Sequence, residues 1–153
     1  MPGKFLSAFA ERINTKCAMK CVEAEAGMTV EPGVIYMGRG GRHMVLHKRL
    51  NGQIMIRTPD KPDGNFIPSV NVMMNSVLKI FGKDTIGVLM TGMGDDGADA
   101  MKEITDTGGV TIAESEESAI VYGMPREAVL RGGAKIIVPC WDIADEIIKA
   151  VYA

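Results

Sequence analysis

The stretch Ile86-Gly87-Val88-Leu89-Met90 is apolar without interruption, and Thr91-Gly92-Met93-Gly94-Asp95-Asp96-Gly97 follows it at once. An apolar run of this length, closed by a glycine-rich turn, reads as a strand buried on both faces, the kind that parallel sheets contain. A helix is predicted at about 97–107. Gly108-Gly109 then leads to a second strand, Val110-Thr111-Ile112-Ala113. A short helix at 124–131, a strand at 135–138 and a last helix with Ala144, Ile147, Ile148 and Val151 along one side continue the alternation. Strands alternating with helices specify an α/β fold with a mostly parallel sheet.

The first half reads differently. Phe5, Leu6, Phe9, Ala10 and Ile13 share one face of a helix predicted over 3–16. Residues 19–25, 34–38, 44–49 and 53–57 read as short strands separated by turn formers. Asn51-Gly52 suits a two-residue hairpin turn, which makes this stretch locally antiparallel. Residues 58–68, with Pro59, Asp60, Pro62 and Asp63-Gly64, read as a polar surface loop. Ser69 is placed to cap a helix whose apolar face carries Val70, Met73, Met74, Val77, Leu78 and Phe81, and which Gly82 ends.

At 153 residues the chain suits one domain, and its 46% hydrophobic and 24% charged residues exclude disorder or a disulfide miniprotein. The 17 basic and 19 acidic residues read as evenly mixed, with no basic stripe to suggest nucleic acid. No apolar run is long enough to span a membrane, and the N-terminus has no secretory h-region. Cys17, Cys21 and Cys140 fit reduced, core-type thiols, and the 12 methionines fit core filling.

Chemistry in such folds sits at the carboxyl ends of the strands. The glycine turn at 92–97 is the first candidate, because its backbone N–H groups can face an oxyanion. Asp95, Asp96 and Asp99 crowd the helix start there, where they can cap it, complement its dipole or, as a weaker alternative, hold Mg²⁺. The segment 112–128 also follows a strand. Tyr122 and Met124 can wall a cleft there, and Arg126 can pair with an acid. His43 and His47, read as half-exposed strand residues, are about 13 Å apart at ~3.3 Å per residue, too far to share a metal ion. No serine occupies a nucleophile elbow: Ser7 falls on the first helix, and Ser69 is better used as a cap.

Thr91-Gly92-Met93-Gly94-Asp95-Asp96-Gly97-Ala98, Thr111-Ile112-Ala113 and Tyr122-Gly123-Met124-Pro125-Arg126-Glu127-Ala128 together resemble the catalytic domain of the chemotaxis protein-glutamate methylesterase (CheB) family. Phe9-Ala10-Glu11-Arg12-Ile13-Asn14, Pro32-Gly33-Val34-Ile35-Tyr36, His43-Met44 and Pro68-Ser69-Val70 match in the same order, so the resemblance covers essentially the whole chain. It implies a doubly wound α/β domain, cytoplasmic and without a cofactor or metal, that hydrolyses glutamyl methyl esters on the cytoplasmic domain of chemoreceptors. It implies that Asp96 is the aspartate of a Ser-His-Asp triad and that the Met93 backbone N–H serves the oxyanion. Gly92, Gly94, Tyr122, Met124 and Arg126 would line the substrate cleft.

The resemblance also implies departures. The family's serine lies in an S-T-G-G turn and its histidine in a Q-H-M-P segment, and Met1-Pro2 aligns with the end of the latter. The expectation is therefore an N-terminally truncated domain over 1–153, without the first strand, the serine, the histidine and the usual receiver domain, and inactive alone. A bare sheet edge would leave it marginally stable or associated. Asn71 stands where relatives often carry aspartate. A non-catalytic module that binds receptor helices or a partner through Met93, Tyr122 and Met124 is the alternative.

Overall fold

The computed structural model describes residues 3–59 and 66–153, with the side chains at 3–5 and 7 excluded. Met1-Pro2, the apolar contribution of Phe5, the side chain of Ser7 and the loop prediction at Asp60, Pro62 and Asp63-Gly64 fall outside those residues. Contacts divide the chain into two units, Met1–Ser76 and Val77–Ala153. The architecture is α/β, with parallel strand pairs and one small antiparallel hairpin.

In the first unit α1 (Gly3–Asn14) packs on β1 (Lys20–Glu23). Leu6, Ala10, Cys21 and Ala24 form that part of the core. The Asn14 amide acts as an extra strand partner, accepting from the Cys21 N–H and donating to the Cys21 carbonyl at 2.7 Å. β1 pairs with β2 (Val34–Met37) in parallel, with Cys21 opposite Ile35. The antiparallel expectation therefore holds only for β3 (Val45–Lys48) and β4 (Ile54–Arg57). The β1–β2 connection leaves the pair and runs antiparallel along β4. Gly27 N–H donates to the Ile56 carbonyl, and Val30 N–H to the Ile54 carbonyl. That excursion lets β2 return in the same direction as β1.

The hairpin turn is also not the expected one. Arg49 N–H donates to the Gln53 carbonyl and Gly52 N–H to the Arg49 carbonyl, so the loop is Leu50-Asn51-Gly52. Only Gly52 takes positive φ, 87°, as in a three-residue loop with a glycine bulge. Asn51 instead uses its side-chain oxygen to accept from the Gln53 N–H at 3.1 Å.

α2 (Val70–Phe81) runs across the boundary between the units. Ser69 caps it as predicted, its hydroxyl accepting from the Val72 N–H at 3.3 Å, and Gly82 ends it.

In the second unit β5 (Ile86–Leu89), β6 (Val110–Glu114) and β7 (Ile136–Val138) form a parallel sheet in that order. β6 is the strand buried on both faces. β5 buries only Gly87 and Leu89 fully, because it is the first strand of the three rather than the middle one. α3 (Ala98–Thr107) packs on β5, β6 and α4 (Met124–Leu130), burying Met101 and Ile104. Each such side chain contributes roughly 2–3 kcal/mol. Thr105 Oγ1 lies 2.8 Å from Thr111 Oγ1 and donates to the Gly133 carbonyl, joining α3 to β6 and to the approach of β7.

α5 (Ile143–Tyr152) follows the predicted helix, but only Ile143 is buried, and Ile148 and Val151 are exposed. Of the thiols Cys21 alone is in the core, and its pKa is raised chiefly by burial; Cys17 and Cys140 are exposed. The methionines divide likewise, with Met74 and Met101 buried and Met19, Met90 and Met93 exposed.

Candidate active site

Because β5 and β6 are parallel and adjacent, the loops after them emerge side by side. They are sewn together. Gly92 N–H donates to the Val121 carbonyl at 3.0 Å, and the Gly92 carbonyl accepts from Gly123 N–H at 3.2 Å and Met124 N–H at 2.8 Å. The Thr91 hydroxyl accepts from Val121 N–H at 2.9 Å. Gly123 permits this approach, since a β-carbon there would lie 2.6 Å from the Gly92 carbonyl oxygen.

A buried carboxylate completes the junction. Glu114, 2% exposed at the end of β6, accepts from the Thr91 N–H at 2.7 Å through one oxygen and from the Ser118 hydroxyl at 2.8 Å through the other. Ser118 Oγ in turn accepts from the Cys140 N–H at 2.9 Å, which ties in the segment after β7. Three loops thus converge on one acid.

The structure gathers the predicted residues of this unit here. Asp96 is buried immediately before α3, whereas Met93 is 85% exposed. Among the described residues, nothing accepts a hydrogen bond from the Met93 N–H. Met124 packs over Gly92, and Tyr122 pairs with Gly92 as an isolated parallel bridge. Gly94, Asp95, Gly123, Arg126 and Glu127 line an open cavity of about 300 Å³.

Arg126 is exposed and has no ion pair among the described residues; the pairing expected of it belongs to Arg131. That guanidinium reaches Asp95 and Asp99, both at 2.6 Å, and Glu127 at 3.4 Å. The hydrogen bond to Asp95, then that to Asp99, holds the Arg131 pKa above its ordinary value. Two of the three acids at the helix start are therefore committed to an ion cluster. No group of three His, Cys, Asp or Glu among the described residues is arranged to hold a metal ion.

Arg131 and Glu114 were not among the predicted site residues, because their partners lie 36 and 23 residues away in sequence. His43 also differs from expectation. It precedes β3 and is 1% exposed, drawn in by the Ser69 N–H that donates to its Nδ1 at 3.2 Å. His47 is half-buried on β3, as read.

The family model for CheB methylesterase matches residues 1–147. A Syntrophomonas wolfei protein named protein-glutamate methylesterase/protein-glutamine glutaminase 3 is 60% identical over 99% of this chain and 43% of its own length. A Caldanaerobacter subterraneus relative of the corresponding name is 47% identical over 99% of this chain and 42% of its own. The crystal structure of the Thermotoga maritima CheB methylesterase catalytic domain superposes with a TM-score of 0.91 at 31% identity, over 97% of this chain and 79% of that one. The chain thus spans less than half the length of these curated relatives.

Proposed function

The chain belongs to the CheB methylesterase family, and from that premise we propose that it supplies the aspartate and oxyanion half of a protein-glutamate methylesterase centre. We read residues 1–153 as part of a single methylesterase domain. The observation that carries this reading is the braced loop pair. It buries Asp96 beside α3 and leaves the Met93 N–H without a partner among the described residues, one residue beyond the doubly bonded Gly92 carbonyl.

In this reading Asp96 accepts from a histidine imidazole and fixes its tautomer, so that the other nitrogen can take the proton of a serine hydroxyl. The serine oxygen attacks the side-chain carbonyl of a glutamyl methyl ester. The Met93 N–H stabilises the resulting oxyanion, methanol leaves, and water releases the carboxylate. The same attack on a glutamine side chain would release ammonia, in keeping with the second activity in the relatives' names. Neither S-T-G-G nor Q-H-M-P occurs in these residues, so we assign serine and histidine to other parts of the active protein. Gly92, Gly94, Tyr122, Met124 and Arg126 form the wall against which the substrate side chain lies. The substrate is the methylated cytoplasmic domain of a chemoreceptor, a receiver domain is the regulatory partner, and the reaction is cytoplasmic. No described helix is long and apolar enough to cross a membrane.

The test is methanol release from methylated receptor. The 153 residues alone should give no appreciable turnover, because triad members act as a unit. Asp96→Asn in the complete protein should lower kcat by about three to four orders of magnitude. Turnover by the isolated chain, or a fully active Asp96→Asn enzyme, would overturn the reading.

A further inference from the structure

Residues 32–59 contain Arg39, Arg42, Lys48, Arg49, Arg57 and both histidines, yet none of the chain's 19 acidic residues. The even mixing read from the totals conceals this concentration, and the fold sharpens it. In the β3–β4 pairing Val45 lies opposite Arg57 and His47 opposite Met55, and Arg49 faces Gln53 through its backbone. Alternation puts Arg57, His47 and Arg49 on one face of the ribbon and Lys48 on the other.

That face opens into a cavity of about 710 Å³ whose lining includes the three basic residues and, among the described residues, no carboxylate. Val45, Met55 and Pro59 supply apolar walls. Arg49 and Arg57 are exposed, and neither has an ion pair among the described residues. Arg39, in contrast, already lies 3.7 Å from Glu23. Two exposed guanidiniums thus have no ion-pair partner among the described residues, and they lie beside an apolar floor.

We propose that this face of the β3–β4 ribbon docks an acidic, amphipathic polypeptide segment, with carboxylates on Arg49 and Arg57 and aliphatic side chains on the floor between them. Guanidinium forks match carboxylates in bidentate geometry. The apolar floor favours a peptide over a nucleic acid, whose phosphates would have no use for it. The acidic residues of the rest of the chain would also repel a long polyanion. The assignment stands on the first unit alone and is independent of the esterase reading.

The test uses the complete protein and a labelled peptide of about 15 residues with Glu and Leu at helical spacing, followed by fluorescence anisotropy. Replacing every Glu with Gln should weaken binding at least about tenfold, as should the double variant Arg49→Glu/Arg57→Glu. Lys48→Glu, the same charge reversal on the opposite face, should leave affinity within about twofold, and raising salt from about 50 to about 300 mM should weaken binding. If the double reversal fails to fold by circular dichroism, Arg49→Gln/Arg57→Gln replaces it, with a loss of at least about threefold expected. Equal affinity for the Glu and Gln peptides, or unchanged affinity in the folded double variant, would overturn the proposal. So would a single-stranded oligonucleotide that binds more tightly than the peptide and is lost in the same variant.

Discussion

The loop pair after β5 and β6 and the open face of the β3–β4 ribbon spend their polar groups in opposite ways. At the loop pair the half-buried guanidinium of Arg131 is committed to two aspartates, and the backbone of Gly92 and the carboxylate of Glu114 are bonded on both sides. On the ribbon face Arg49 and Arg57 have no ion pair among the described residues. In the proposed reading the loop pair must hold reacting atoms to tenths of an ångström, which asks it to consume its own hydrogen-bonding capacity in bracing. A surface that recognises a partner has to keep that capacity free.

Substitutions should separate the two. Among the bracing residues, the largest effect is expected from Gly123→Ala, whose β-carbon would sit 2.6 Å from the Gly92 carbonyl oxygen, a backbone atom that cannot move without displacing Met93. Ester hydrolysis by the complete protein should fall by about two orders of magnitude, with peptide binding on the ribbon face unchanged. Parallel losses of both would dissolve the contrast. Glu114→Ala comes next, since it strips acceptors from the Thr91 N–H and the Ser118 hydroxyl at a buried position. Urea denaturation should show a loss of about 1–3 kcal/mol, and Glu114→Gln, which keeps an oxygen in place, a smaller one.

In the other unit, Ser69→Ala removes the α2 cap at about 1 kcal/mol and should leave hydrolysis rates at saturating substrate unchanged. The smallest effect belongs to Arg131→Ala. Its partners are more than half exposed or only loosely held, so each pair is worth less than about 1 kcal/mol and fades with salt. The sign of its pH dependence follows from the raised pKa. A group held above its ordinary value contributes fully below that value and loses the contribution only above it. The difference in stability between wild type and Arg131→Ala should therefore be flat from about pH 7 to about pH 10 in paired denaturation curves.

What the sequence disclosed follows the range of the forces involved. Helix α2 was legible to the residue at both ends, because its cap and its stop are local: a Ser69 hydroxyl three positions from Val72 and a glycine after Phe81. The glycine turn holding Asp96 was legible because an apolar strand and a helix bracket it. The parallel course of β1 and β2 was hidden, since it depends on an excursion that borrows the edge of β4. His43 was misread as half-exposed because the N–H that draws it inward is 26 residues away. The type of the hairpin turn turned on a single bulge: Asn-Gly permits two residues, and the ribbon uses three.

Glu114 has one more consequence. Side chains along β6 alternate between faces, so a slip of one residue against β5 would carry this carboxylate to the wrong side of the sheet. Thr91, Ser118 and, through it, Cys140 would lose their connection in the same event. The acid thus acts as a proofreader of strand alignment: a misregistered sheet cannot close the three loops, and only a chain that has folded in the right frame can present the site at all.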